Sequence, residues 1–175
     1  MTPDEFNAAF DTFRVSAFRL ETLQSYAVDA EDAWLQAFRQ GLPRPERSVR
    51  TSPWLQRIAA TTMADKSWSR VRLVRHPLTE YVQYELLSYI ESAAVGEEIR
   101  IVDLDANPEL AGMLGPDFWL FDVGQPDGFA VVMHYDADGA VQGYERIDNP
   151  AAEMEQQRLA LDQSVSLAEY LAGHR

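Results

Sequence analysis

His134 and Asp136 stand two residues apart in the run VVMHYD. On an extended strand, residues at that spacing point to the same face. Asp122 closes the neighbouring run DFWLFD and is a third candidate for the same spot. One imidazole and two carboxylates are a donor set for a divalent metal, and a His–Asp pair can also work as an acid–base couple. The competing reading is structural: His134 hydrogen-bonds a strand neighbour, and Asp136 caps the Ala-Asp-Gly turn that follows it. The structural reading is the stronger, and no metal or cofactor is expected.

Glu85 presents a different chemistry. In LTEYVQYELLSYIESAAVG, the apolar stripe consists of Leu78, Val82, Leu86, Tyr89, Ile90 and Ala93, and Glu85 falls inside its arc. A carboxylate on a buried stripe needs a partner, because burying it alone costs several kcal/mol. Arg72 and Arg75, in the segment RVRLVRHP just before the helix, are the nearest guanidinium groups. Glu85 is therefore expected to be buried and paired with one of them. Arg70, Arg72, Arg75 and His76 end a strand before a helix start, the position where open α/β sheets bind ligands, so a small anionic ligand is a second expectation there. Together with Trp119, a candidate pocket wall, the binding candidates are Arg72, Arg75, His76, Glu85, Trp119, His134 and Asp136. All of them but His76 are expected to line a polar pocket between the 78–95 helix and the strands after residue 117.

These side chains need elements to hold them. Phe6, Phe10 and Phe13 recur at helical spacing behind Asp4 and Glu5. SAFRLETLQSY, residues 16–26, reads as either strand or extended linker. Asp29 is expected to cap a helix that runs to about Gln40, and Gly41 and Pro43 end it. The proline-rich 41–53 loop leads to a helix with Pro53 at its first position. RVRLVRHP reads as a strand, 78–96 as a helix and EEIRIVDLD as a second strand, an order that favours a parallel pair. DFWLFD, VVMHYD and GYERI, separated by GQPDG and ADG, read as a three-stranded antiparallel meander. A helix over about 150–163 and a short terminal helix follow. The fold class is α+β, or α/β, with about five strands in a mixed sheet. The chain is expected to be a single domain over 1–175, helical in its 1–66 part and sheet-containing in 67–175.

Composition narrows the function. There is no cysteine, which excludes disulfides, thiol nucleophiles and thiolate metal sites. No apolar run approaches the roughly 20 residues that span a bilayer, and the acidic start MTPDEFNAAFD does not resemble a signal peptide. A cytoplasmic location without membrane association is expected. The net charge of −13 argues for weak or no direct nucleic-acid binding. The charge is unevenly spread: residues 39–76 carry nine basic groups against two acids, whereas 101–175 carry fourteen acids against three arginines. Such asymmetry marks either a partner surface or two parts of one chain packed together. The signatures GxSxG, HExxH and a glycine-rich phosphate loop are missing. Whether the chain is an enzyme stays open, with the balance against it.

The blocks SAFRLETLQSY, RVRLVRHPLTEYVQYEL, DFWLFD and MHYD followed by GYE resemble an actinobacterial family of small proteins known only as a domain of unknown function. The resemblance covers nearly the whole chain. Members of that family often lie near helix-turn-helix regulators, which implies a regulatory module that acts through a protein partner, such as a transcriptional regulator. The element order also bears a fainter likeness to the phospholipase D-like core. The HxK motif of that chemistry is absent, since Lys66 is the sole lysine and no histidine lies two residues before it. Two functions follow as expectations: a non-catalytic regulatory or binding module with a protein partner, or a small-molecule sensor or enzyme built on the polar pocket.

Overall fold

The computed structural model describes residues 1–28, 31–112 and 114–174. The expected cap Asp29 lies outside the described residues. Among the described residues, seven strands and six α-helices follow in the order α1 (Pro3–Thr12), β1 (Ser16–Glu21), α2 (Asp32–Arg39), α3 (Pro53–Thr62), β2 (Ser67–Val74), α4 (Glu80–Ala93), β3 (Glu97–Asp103), β4 (Phe118–Phe121), β5 (Phe129–Tyr135), β6 (Val141–Ile147), α5 (Ala151–Asp162), β7 (Val165–Ser166) and α6 (Leu167–Gly173). The class is α+β.

The strands form one mixed sheet in the order β6-β5-β4-β1-β2-β3-β7. β1, β2 and β3 are mutually parallel, with Arg19 opposite Arg70 and Arg72 opposite Ile101. β4 runs antiparallel to β1 and opens the meander β4-β5-β6. The sequence pattern accounts for about five strands. The sixth is β1, which was ambiguous because its side chains alternate charged and apolar. The seventh, β7, has two residues and is too short to leave a period. β1 is also the middle strand of the sheet, so the 1–66 part supplies helices and the sheet's centre together.

The two faces of the sheet differ in chemistry. One is wholly apolar: Phe18, Leu20, Val71, Leu73, Phe118 and Leu120 pack with Ala160 of α5. The other is apolar only at its margins. Near the meander, Phe10 of α1, the following Phe13, and Leu55 and Ile58 of α3 pack on Ala17, Trp68, Trp119 and Phe121. Toward β3, Val82, Leu86 and Tyr89 of α4 and Leu167 and Tyr170 of α6 pack on Val74, Ile99 and Ile101. Between these clusters the strands place Arg19, Glu21, Arg70 and Arg72. Alternation puts all four on this helix-covered face.

Sequence chemistry accounts for the ends of α1, α3, α4 and α6. Thr2 and Glu5 form a reciprocal capping box on α1, as do Ser166 and Glu169 on α6. Ser52 caps α3 ahead of Pro53, and Thr79 caps α4 by accepting from the Val82 amide. α4 is rotated from its expected phase. Its buried face is Tyr81, Val82, Tyr84, Glu85, Leu86, Tyr89 and Ser92, whereas Ile90 is 48% exposed and Ala93 is exposed. Tyr81 and Tyr89 can take core positions because their hydroxyls find partners there, Glu31 for the first and Glu21 and Glu85 for the second.

Candidate functional site

The helix-covered face holds a buried ion network. Arg19 Nη2 donates to Asp117 Oδ2 at 2.7 Å, and the same Arg19 nitrogen reaches the Tyr135 hydroxyl at 2.9 Å. Arg70 bridges two strands, donating to Glu21 at 2.7 Å and to Glu97 at 2.9 Å. Arg72 Nη2 lies 3.2 Å from Glu85 Oε2, with the guanidinium 5.0 Å from the centre of the Tyr26 ring. Tyr89 ties the halves together, donating toward Glu21 at 2.5 Å and Glu85 at 3.0 Å. Asp117 also accepts from the Thr22 amide and hydroxyl and from the Tyr26 hydroxyl. Every charged member of this set is buried.

Counting charges explains how the network titrates. Three guanidinium groups, Arg19, Arg70 and Arg72, face four carboxyl groups, Glu21, Glu85, Glu97 and Asp117. One carboxyl group is in excess. Burial disfavours the charge on Glu21, but Arg70, Arg72 and Arg19 outweigh it and hold this carboxyl down at about 2. Glu85 has Arg72 alone close by and also feels the charge of Glu21. Burial therefore prevails, pushing it up to about 7. The arginines stay charged: burial works against Arg72, but Glu85, Tyr89 and Tyr26 raise it well above its ordinary value.

Above this network lies a half-open cavity of about 490 Å³, lined by α4, the start of α2 and the segment before it, the 47–54 stretch, and the meander. That volume falls within the range of small-molecule pockets, roughly 300–1,000 Å³. Its floor includes Arg19, Glu21, Arg70 and Glu85. Its walls are aromatic, with Trp34, Trp54, Tyr81, Tyr84, Trp119 and Tyr144 among them. Glu31 lines it as well. Burial raises the pKa of this carboxyl, and the Tyr81 hydroxyl donates to it at 2.8 Å.

The seven candidate residues from sequence separate into three places. Glu85 and Trp119 line the cavity, with Arg72 paired to Glu85. The expected Glu85–Arg72 pair is present and buried. Arg75 and His76 lie beyond the end of β2, outside the cavity, where Arg75 Nη1 is 3.8 Å from Asp105 and His76 Nε2 is 3.5 Å from Asp103. His134 and Asp136 are likewise outside it. His134 Nε2 sits 3.1 Å from Glu145 on β6, and Asp136 accepts the amides of Asp138 and Ala140 and the Gln142 side chain. The β4–β5 register opposes Phe121 to Phe129, which leaves Asp122 at the end of β5 remote from His134. Asp122 instead takes φ 53° and accepts the amides of Arg14, Val15 and Ser16. The three side chains do not converge.

The residues missed from sequence are Arg19, Glu21, Glu97 and Asp117, with Tyr26, Tyr89 and Glu31 around them; Arg70, expected at a strand end facing an anion, instead binds Glu21 and Glu97. Their signal was the alternation Arg-x-Glu in β1 and Arg-x-Arg in β2. Charged alternation normally marks a solvated face. Here the chain has too many helices to leave either face of the central strands uncovered.

The basic 39–76 segment is largely neutralised within the chain. Arg44 and Arg47 pair with Glu91, Arg39 with Glu80, Arg57 with Asp11 and Arg50 with Glu46. The partners lie mainly before residue 98 rather than in the acidic C-terminal part.

Residues 4–172 match the family described as Domain of unknown function (DUF6879). The chain belongs to that family. No curated protein and no solved structure matches it. Among the described residues, no helix is long and apolar enough to cross a membrane.

Proposed function

We propose that this DUF6879 chain is a non-catalytic sensor that holds a small molecule in the cavity between α4 and the meander. The observation that carries the reading is the cavity itself: aromatic walls over a buried floor of ion pairs in the middle of the sheet. Burying charges in a domain centre is costly and is replaceable by apolar packing. A domain that only needed a core would gain stability by filling this space with apolar side chains.

The charge arrangement favours a ligand with a cationic or hydrogen-bond-donating head and an apolar or aromatic body. The lining arginines already face carboxylates: Arg19 has Asp117, Arg70 has Glu21 and Glu97, and Arg47 has Glu91. Glu31 meets only the Tyr81 hydroxyl among the described residues. A donor placed between Glu31 and Glu85 would lie against aromatic faces suited to a cation. This favours a different ligand from the anion expected at Arg75 and His76.

The proposal extends to output through a protein partner such as a helix-turn-helix regulator. Support for that step is the genomic setting implied by the resemblance. The split in charge no longer argues for it, because internal pairs absorb the basic segment.

A metabolite collection rich in amines and amino alcohols, screened by thermal shift and by tryptophan emission, tests the sensor. Ligands should stabilise the wild type and lose their effect with Ser88→Trp, which fills the cavity, and with Glu31→Gln. Equal effects on the wild type and on folded Ser88→Trp would overturn the reading, as would a collection without a single binder.

A further inference from the structure

The second concentration of chemistry lies outside the cavity, at the carboxyl ends of two parallel strands. His76 follows β2, Asp103 ends β3, and His174 follows α6. Each offers one ligating atom, and these atoms all lie within 4.8 Å of one another. None of the three lines the cavity.

The surroundings leave His174 and Asp103 one atom each to offer, while His76 Nε2 faces Asp103 and lies 3.4 Å from the Tyr170 hydroxyl. His174 Nδ1 lies 2.9 Å from the Tyr170 carbonyl oxygen, which fixes Nδ1 as the protonated donor and leaves the lone pair on Nε2. A histidine whose second nitrogen donates to a backbone carbonyl is the usual outer arrangement of a metal ligand. Asp103 Oδ1 accepts the amides of Asp105 at 2.9 Å and Ala106 at 3.4 Å. Its other oxygen, Oδ2, is turned toward His76 Nε2 at 3.5 Å. The backbone amide of His76 is held by Asp105 at 2.6 Å, which fixes where its imidazole starts. The two imidazole rings lie nearly parallel, 7° apart, with centroids 5.2 Å apart.

We propose that His76, Asp103 and His174 form a site for a borderline divalent transition metal such as zinc. Two imidazoles and one carboxylate select borderline metals over magnesium or calcium, which require oxygen donors. Bond lengths of about 2.0–2.1 Å in tetrahedral geometry place ligand atoms about 3.3 Å apart. The step from 4.8 Å needs only rotation of two imidazoles at the surface, His76 and His174 being exposed. Three protein ligands leave the fourth position for water or a donor from another molecule. The metal would tether α6 to the ends of β2 and β3.

Chelator-stripped full-length protein, titrated with Zn²⁺ by calorimetry and with Co²⁺ by visible absorption, tests this. One equivalent should bind, with the intense d–d bands of tetrahedral Co²⁺. His174 is exposed and lies after the end of α6, so His174→Ala should leave the circular dichroism unchanged. It should weaken binding at least as much as loss of an outer-shell partner does, on the order of 10–100-fold. Asp103→Asn and His76→Ala should do the same, whereas His134→Ala should have no effect. The site is refuted by absence of saturable binding at micromolar metal, by binding that survives His174→Ala, or by equal loss with His134→Ala.

Discussion

Arg72 on the middle of β2 and Glu85 on α4 meet 3.2 Å apart across the sheet–helix interface, with Arg72 wholly buried. Neither partner is replaceable in the same way. Arg72 stays charged, whereas Glu85 is the carboxyl closest to neutrality in a cluster with one carboxyl too many. Glu85→Ala opens a void and leaves the guanidinium without its nearest counter-charge, which should cost about 3 kcal/mol. Glu85→Gln keeps the shape and mimics the protonated acid, and should cost less than half of that. Urea denaturation at neutral pH measures both. Equal losses for the two variants would show that the charge, not the packing, is what matters at this position.

The same carboxyl sets a pH dependence. Its folded-state pKa is raised from 4.5 to about 7, so between these values the folded state holds a proton that the unfolded state releases. Stability contributed by that proton is present below pH 4.5 and is lost as pH rises toward 7. Glu21 works in the opposite sense: its pKa is lowered from 4.5 to about 2, so its contribution is present above 4.5 and lost as pH falls toward 2. The wild type should therefore lose stability on both sides of about pH 4.5. Glu85→Gln should flatten the neutral limb and leave the acid limb intact. Denaturation midpoints across the range decide this, and an unchanged neutral limb in the variant would reject the assignment.

Asp117 and Asp122 flank the same four-residue strand and should respond differently to Asn. Asp117 faces the buried Arg19 guanidinium and four donors in all. Losing its charge leaves that buried arginine with Glu21, at 3.6 Å, as its remaining counter-charge, at a cost of about 3 kcal/mol. Asp122 accepts backbone amides, and the nearest charge, Arg14, is largely exposed. An asparagine oxygen can still accept there and tolerates its positive φ, so Asp122→Asn should cost about 1 kcal/mol. Melting temperatures of the pair, compared directly, test the contrast.

What could be read in advance follows from period and punctuation. The meander was legible because aromatic and β-branched runs alternate with Gly, Pro and Asp turns. α4 was legible as a helix, and its one misplaced acid exposed the Arg72 pair. β1 was not, because Arg19 and Glu21 gave it the pattern of a solvated strand while both of its faces are buried. The cavity was only half visible: Glu85 and Trp119 mark it from sequence, but Glu31 and Arg19 enter through tertiary contacts that local spacing does not encode. His134 and Asp136 were drawn together by their spacing, yet strand register and turn chemistry hold them apart from Asp122.

Direct nucleic-acid binding should be weak. Phosphate binding requires guanidinium and ammonium groups free to meet the backbone. Arg44, Arg47 and Arg57 face acids within the chain, Arg70 and Arg72 are buried, and the Lys66 amine donates to the Phe13 carbonyl. Fluorescence anisotropy with a labelled duplex at low salt should show no saturation at micromolar protein. Sub-micromolar, salt-sensitive binding would contradict the pairing.

Gly139 tests how tightly the meander closes the cavity. It sits at the β5–β6 turn with φ 84°, and its carbonyl accepts the Ala27 amide at 3.0 Å. A Cβ there would meet the Ser25 carbonyl oxygen at 2.7 Å and the Tyr26 Cα at 3.1 Å, both backbone atoms without freedom to rotate away. Gly124 shares the positive φ, at 85°, but has open space around it. Gly124→Ala therefore isolates the conformational penalty, roughly 1–2 kcal/mol. Gly139→Ala adds displacement of the segment that carries Tyr26, whose hydroxyl serves Asp117 and whose ring covers Arg72. The Gly139 variant should lose more stability than the Gly124 variant and should show faster hydrogen exchange at Tyr26 and Ala27. If both lose the same amount, the turn is not braced against that segment, and this side of the cavity is looser than the contacts require.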